Sequence, residues 1–118
     1  MELVMTLDCR DTDVLARFWM GALSPLGYRR AFDAPPYVSL VSEAGPPLLL
    51  QKVPEPKRTK NRMHLDLGVE ELEAEVGRLV ALGARTLEAG LTEHGYRWSV
   101  LADPEGNEFC VFVKPGPA

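Results

Sequence analysis

Hydrophobic and polar positions along the chain follow two rhythms, one of period two and one of helical spacing, and the pair recurs twice in the same order. In the first stretch Leu3, Met5 and Leu7 alternate with Glu2, Thr6 and Asp8, and Val4 on the polar side predicts burial on both faces. A strand is expected over Met1 to Cys9. The spacing then turns helical: Val14, Leu15, Phe18, Trp19 and Ala22 fall on one stripe, Asp11 or Thr12 can cap it, and Asp13 suits its positive end. Pro25 and Gly27 stop the helix. Three strands are expected next, over Tyr28 to Phe32, Tyr37 to Val41 and Leu48 to Val53. Turns at Ala34-Pro35-Pro36 and Ala44-Gly45-Pro46-Pro47 separate them.

The second half repeats that order. His64 and Asp66 alternate against Met63, Leu65 and Leu67, predicting a strand over Met63 to Val69 that places His64 and Asp66 on one face. A helix follows, with Glu70 and Glu71 in its first turn, Leu72, Val76, Leu79 and Val80 at helical spacing, and Gly83 at its end. Strands over Arg85 to Glu88, Tyr96 to Ala102 and Glu108 to Lys114 complete the half. The last two are joined by Asp103-Pro104-Glu105-Gly106-Asn107, where proline presets a backbone angle and glycine takes the left-handed position. Residues 54–60 have no apolar periodicity and carry two prolines.

The chain therefore reads as one α+β domain, residues 1–118, built from two βαβββ modules at 1–53 and 62–118 with a connector at 54–61. Placing Val4 on His64 brings Asp11 onto Glu71, so the repeat lies in pattern more than in identity. Two curved mixed sheets are expected, neither able to close on itself, which enclose a cleft within the chain or with a partner chain.

Composition narrows the partners. The 118 residues are 46% hydrophobic, ordinary for one globular core, and the net charge of -4 gives no reason to expect nucleic acid. No apolar run approaches the ~20 residues of a membrane helix, and no secretory pattern opens the chain, so a cytoplasmic protein is expected without membrane contact. Cys9 and Cys110 sit among apolar neighbours and are expected as unpaired thiols.

Candidate chemistry gathers around few residues. His64 reads either as a proton carrier or ligand in the cleft, or as a ring satisfied by Asp66. Glu93, His94 and Tyr96 form a polar group before the Trp98 strand that either edges the cleft or is only a turn. Trp98 is expected to line a pocket, whereas Trp19 and Phe112 have the spacing of core residues. Lys60 or Arg62 could grip a carboxylate or phosphate, or belong to a solvated linker. Cys110 reads as a core or cleft-lining thiol whose only nameable base is His64.

Three stretches carry a family likeness: Asn61-Arg62-Met63-His64-Leu65-Asp66-Leu67, the helix end Ala81-Leu82-Gly83-Ala84, and Trp98 through Cys110 with its Asp-Pro-Glu-Gly-Asn hairpin. Together with Phe18-Trp19 and Gly27 they resemble the glyoxalase/bleomycin-resistance/extradiol-dioxygenase superfamily, in particular its bacterial glyoxalase-like domains. The resemblance spans nearly the whole chain. It implies the vicinal-oxygen-chelate fold, with paired βαβββ modules, and often a homodimer. Carried over to this sequence, the family's metal-ligand positions fall on Val4, Gln51, His64 and Cys110, and Val4 supplies no donor atom.

The resemblance and the residues together lead to a small-molecule binding protein with an incomplete metal site and no cofactor, or to a metal-dependent lyase or isomerase in which a divalent ion polarises a substrate oxygen pair. A module that pairs through its sheet edge is the third option. His64 is the candidate catalytic residue, His64 and Gln51 are the candidate metal ligands, and Gln51, Trp98, Cys110, Arg62 and His94 are the candidate contacts to a ligand.

Overall fold

The computed structural model describes residues 1–116, and of Phe32 and Asp33 it describes the backbone. The last two residues of the expected second module, Pro117 and Ala118, lie outside the described residues. The chain divides into two compact units, Met1–Arg58 and Thr59–Ala118, and each unit has the order βαβββ. Each folds one four-stranded mixed sheet with one α-helix against it. This is the α+β class that the two rhythms of the sequence predict.

In the first unit, β1 (Met5–Cys9) leads into α1 (Thr12–Ala22), and β2 (Arg29–Ala34), β3 (Tyr37–Ser42) and β4 (Gly45–Lys52) follow in the spatial order β1-β4-β3-β2. Strand β1 pairs parallel with β4, and the other pairs are antiparallel. Asp11 resolves the choice of cap: its carboxylate accepts from the backbone N–H of Asp13 and Val14, both at 3.1 Å. Such a cap contributes about 1 kcal/mol because the first turn of a helix has no internal partners for its N–H groups. Leu15, Phe18, Trp19 and Ala22 of the predicted stripe are buried together with Ala16, whereas Val14 is exposed. Trp19 stands edge-on to Phe18 with ring centroids 5.1 Å apart, so it is core and not pocket.

The second unit repeats this plan with β5 (Asp66–Gly68), α2 (Leu72–Leu82), β6 (Arg85–Glu93), β7 (Tyr96–Ala102) and β8 (Glu108–Val113), in the order β5-β8-β7-β6. Helix α1 begins at Thr12 and α2 at Leu72, which preserves the register that sets Val4 on His64. Leu72 and Leu79 anchor α2 against the sheet, under which Leu101, Phe109 and Val111 are buried. Fully burying each of these side chains is worth about 1.5–3 kcal/mol.

Several boundaries differ from expectation for identifiable reasons. The first strand starts at Met5 instead of Met1, because pairing with β4 begins at Met5↔Leu48. Pro46 and Pro47 belong to β4 and not to the turn; they precede Leu48, where β1 pairing starts, so their missing N–H groups cost no bond to β1. Strand β5 spans Asp66–Gly68 and not Met63 to Val69, since its ladder to β8 starts at Asp66↔Cys110. His64 therefore lies on the approach to the strand. Glu71 is the N-cap residue of α2 and Glu73 and Glu75 occupy the first turn, one step later than the sequence suggested, and Val80 is exposed. Strand β6 runs on to Glu93, so the expected polar loop shrinks to the two-residue turn His94-Gly95. Both turn residues have positive φ, the geometry that matches hairpin twist.

Candidate functional site

One face of the second sheet lies under α2, and the alternate residues of β7 and β8 stand on the other face. Trp98 pairs across to Phe112 and Val100 to Cys110, while the parallel partner of Cys110 on β5 is Asp66. Register thus places an aliphatic, two aromatics, a thiol and a carboxylate side by side. The Asp103–Asn107 turn holds that register from one end. Asp103 is 3% exposed, and its carboxylate accepts from the N–H of Glu105 and Asn107 and from the side-chain amide of Asn107 at 2.9–3.1 Å. Gly106 takes the left-handed position expected of it.

On this face a cavity of about 340 Å³ is lined by His64, Asp66, Tyr96, Trp98, Cys110 and Phe112. The volume falls at the lower end of the range of roughly 300–1,000 Å³ typical of small-molecule sites. Tyr96 and Phe112 lie 6.2 Å apart with their rings inclined at 49°. With Trp98 opposite Phe112 in the ladder, three rings form one wall. Gly68 is what lets the Phe112 ring rest over β5: a Cβ built there would come within 2.8 Å of Phe112 Cζ.

The polar end is made by His64, Asp66 and Cys110. His64 Nδ1 lies 3.0 Å from Asp66 Oδ1. A carboxylate accepts hydrogen bonds, so in this contact Nδ1 is the donor. Burial pushes the Cys110 thiol up from its ordinary range; the negative charge of Asp66 and a hydrogen bond to it add to the effect, and Lys60 opposes it weakly. A thiol so held is a poor nucleophile near neutrality.

The nitrogen, oxygen and sulfur donors of these three residues all lie within 4.8 Å of one another. As a donor set, one imidazole, one carboxylate and one thiol suit a borderline ion such as zinc better than a hard oxygen-seeking ion. Binding would require Cys110 to lose a proton that burial and Asp66 both retain.

A family model described as glyoxalase-like domain matches residues 4–112. The chain belongs to the glyoxalase-like domain family. Solved structures share its fold. A glyoxalase/bleomycin resistance protein/dioxygenase family enzyme from Burkholderia phytofirmans PsJN is 16% identical, with a TM-score of 0.77 over 93% of this chain and 95% of that one. A glyoxalase-related enzyme from Fulvimarina pelagi is 22% identical, with a TM-score of 0.75 over 97% of this chain and 88% of that one. The fosfomycin resistance protein FosX from Listeria monocytogenes is 11% identical, with a TM-score of 0.76 over 96% of this chain and 92% of that one. No curated protein matches the chain. At these identities the likeness establishes the vicinal-oxygen-chelate fold alone.

Within this glyoxalase-like domain, His64, Trp98 and Cys110 meet at one cavity. Gln51 belongs to the first unit, on β4, where it pairs with Asp8 and Tyr37. Because Thr6 pairs with Leu49 as Asp66 pairs with Cys110, the counterpart of Cys110 in the first unit is Leu49, and Gln51 corresponds to Phe112. Arg62 is exposed in the irregular segment before β5. His94 projects from its turn with 86% of its side chain exposed, its nearest ionic neighbour being Glu93 at 3.7 Å. Neither is among the residues that line the cavity.

Sequence reasoning passed over Asp66 as a site residue, left Tyr96 between cleft edge and turn, and set Phe112 aside as core. The signal for Asp66 was present in its closeness to His64, two residues away and able to satisfy its ring. For Phe112 the same spacing from Cys110 held the signal, but an aromatic in a strand has the composition of core as well as of pocket wall.

Proposed function

We propose that the protein binds a planar, amphipathic small molecule in the cavity of its second unit, the body of the ligand lying on the Tyr96–Trp98–Phe112 wall and its polar end meeting His64, Asp66 and Cys110. The supporting observation is the cavity itself: aromatic side chains beside a compact polar cluster are how small-molecule sites combine affinity with orientation. One structure of like fold is a fosfomycin resistance protein, a name in keeping with a small-molecule site. The same reading takes the protein as a homodimer, which rests on the family resemblance. Among the described residues no helix is long and apolar enough to cross a membrane.

A second reading is favoured by the three donors within 4.8 Å: a metal-dependent lyase or isomerase of the superfamily. His64, Asp66 and Cys110 would hold the ion, which would supply Lewis-acid polarisation of a substrate oxygen. Thermal unfolding with a panel of small aromatic ligands, run once with a chelator and once with zinc, separates the two. Binding predicts ligand-dependent stabilisation with chelator present, of about 2.7 kcal/mol at a hundredfold excess over Kd, and its loss in Trp98→Ala. Stabilisation that requires zinc and vanishes in His64→Ala would transfer the case to the enzyme.

A further inference from the structure

We propose that the cavity selects a ligand whose planar body carries a positive charge, with the Asp66 carboxylate meeting the cation; this rests on the binding reading above and gives its ligand a chemical class. Three observations carry it. First, Asp66 is the acidic residue of the lining, and no lysine or arginine is among the described lining residues. Second, Asp66 keeps acceptor capacity. Its carboxylate has about four lone-pair sites, of which His64 and Cys110 engage two, and its side chain is 54% exposed, so a ligand N–H can reach it.

Third, the rings present the right electrostatic surface. Aromatic faces are negative, and a cation within about 6 Å of the face of Trp, Tyr or Phe is attracted to it. Tyr96, Trp98 and Phe112 all border the cavity that Asp66 enters. A cation bound there therefore has a carboxylate and three aromatic rings among its neighbours.

The opposing charge is Lys60. It is exposed and does not line the cavity. The net charge of -4 draws cations toward the molecule as a whole.

The test is calorimetric binding of three probes of one shape, 2-naphthylmethylammonium, 2-naphthylmethanol and 2-naphthoate, at pH 7 with a chelator present so that no metal ion competes for Asp66. The ammonium should bind on the order of tenfold tighter than the alcohol, the naphthoate should bind weakest, and Asp66→Asn should bring the ammonium and the alcohol together. Equal affinity for all three would overturn charge selection and leave the binding reading standing, and an ammonium preference undiminished in Asp66→Asn would overturn the pairing of the cation with Asp66. Failure of all three probes to bind the wild-type protein would overturn both. The comparison within the wild type does not depend on the variant folding.

Discussion

At the scale of single residues, the chemistry of the site is set by what surrounds Cys110. Its thiol is desolvated and faces the Asp66 carboxylate, and both effects disfavour the thiolate. Its reaction with iodoacetamide at pH 7.5 should therefore be slower than that of free cysteine and should quicken only as pH rises beyond the ordinary thiol range. Asp66→Asn removes one of the two causes and should speed the reaction severalfold at the same pH; an unchanged or slower rate would show that Asp66 does not govern the thiol. Cys9 is 2% exposed and contributes no competing signal. Gly68 acts at the same scale, because a side chain there would displace the Phe112 ring from the wall.

At the scale of elements, the β7–β8 hairpin positions the site. Cys110 and Phe112 lie on its second strand, Trp98 on its first, and the buried Asp103 carboxylate ties the turn between them. Asp103→Ala would leave the N–H groups of Glu105 and Asn107 without their acceptor, and urea unfolding should show a loss of about 1–3 kcal/mol. A loss below about 0.5 kcal/mol would place it with ordinary surface changes and refute that role. The two helices show how a repeat diverges under the same plan. Asp11 caps α1 with its side chain, whereas Glu71 at the equivalent position makes no capping bond and α2 relies on Glu73 and Glu75 in its first turn and on Leu72 and Leu79 below. Glu73 also receives Arg97 from β7 at 3.0 Å, which lowers its pKa along with a backbone hydrogen bond.

At the scale of the whole molecule, a duplicated module brings duplicated form without duplicated chemistry. The positions equivalent to His64, Asp66 and Cys110 are Val4, Thr6 and Leu49, and none of them offers an imidazole, carboxylate or thiol. The segment joining the units is exposed over most of 54–60 and contains Lys57, Arg58 and Lys60. Limited trypsin digestion should cut there first and yield two fragments that mass spectrometry assigns to the two βαβββ halves. A first cut inside either half would argue against the proposed division of the domain into modules joined at 54–61.

The sequence by itself determined the order of elements, most of the helix stripes and the Asp103–Asn107 turn. All of these are local, because the spacing of neighbouring residues decides which side of a helix or strand each one takes. Only the tertiary structure decided that β5 starts at Asp66, that Asp66 stands beside Cys110, and that Phe112 and Tyr96 join Trp98 in a wall. Those facts depend on the register between strands far apart in the chain, and a slip of one residue there turns every side chain to the opposite face. Periodicity names the residues that share a face of one strand; pairing chooses their neighbours on the next.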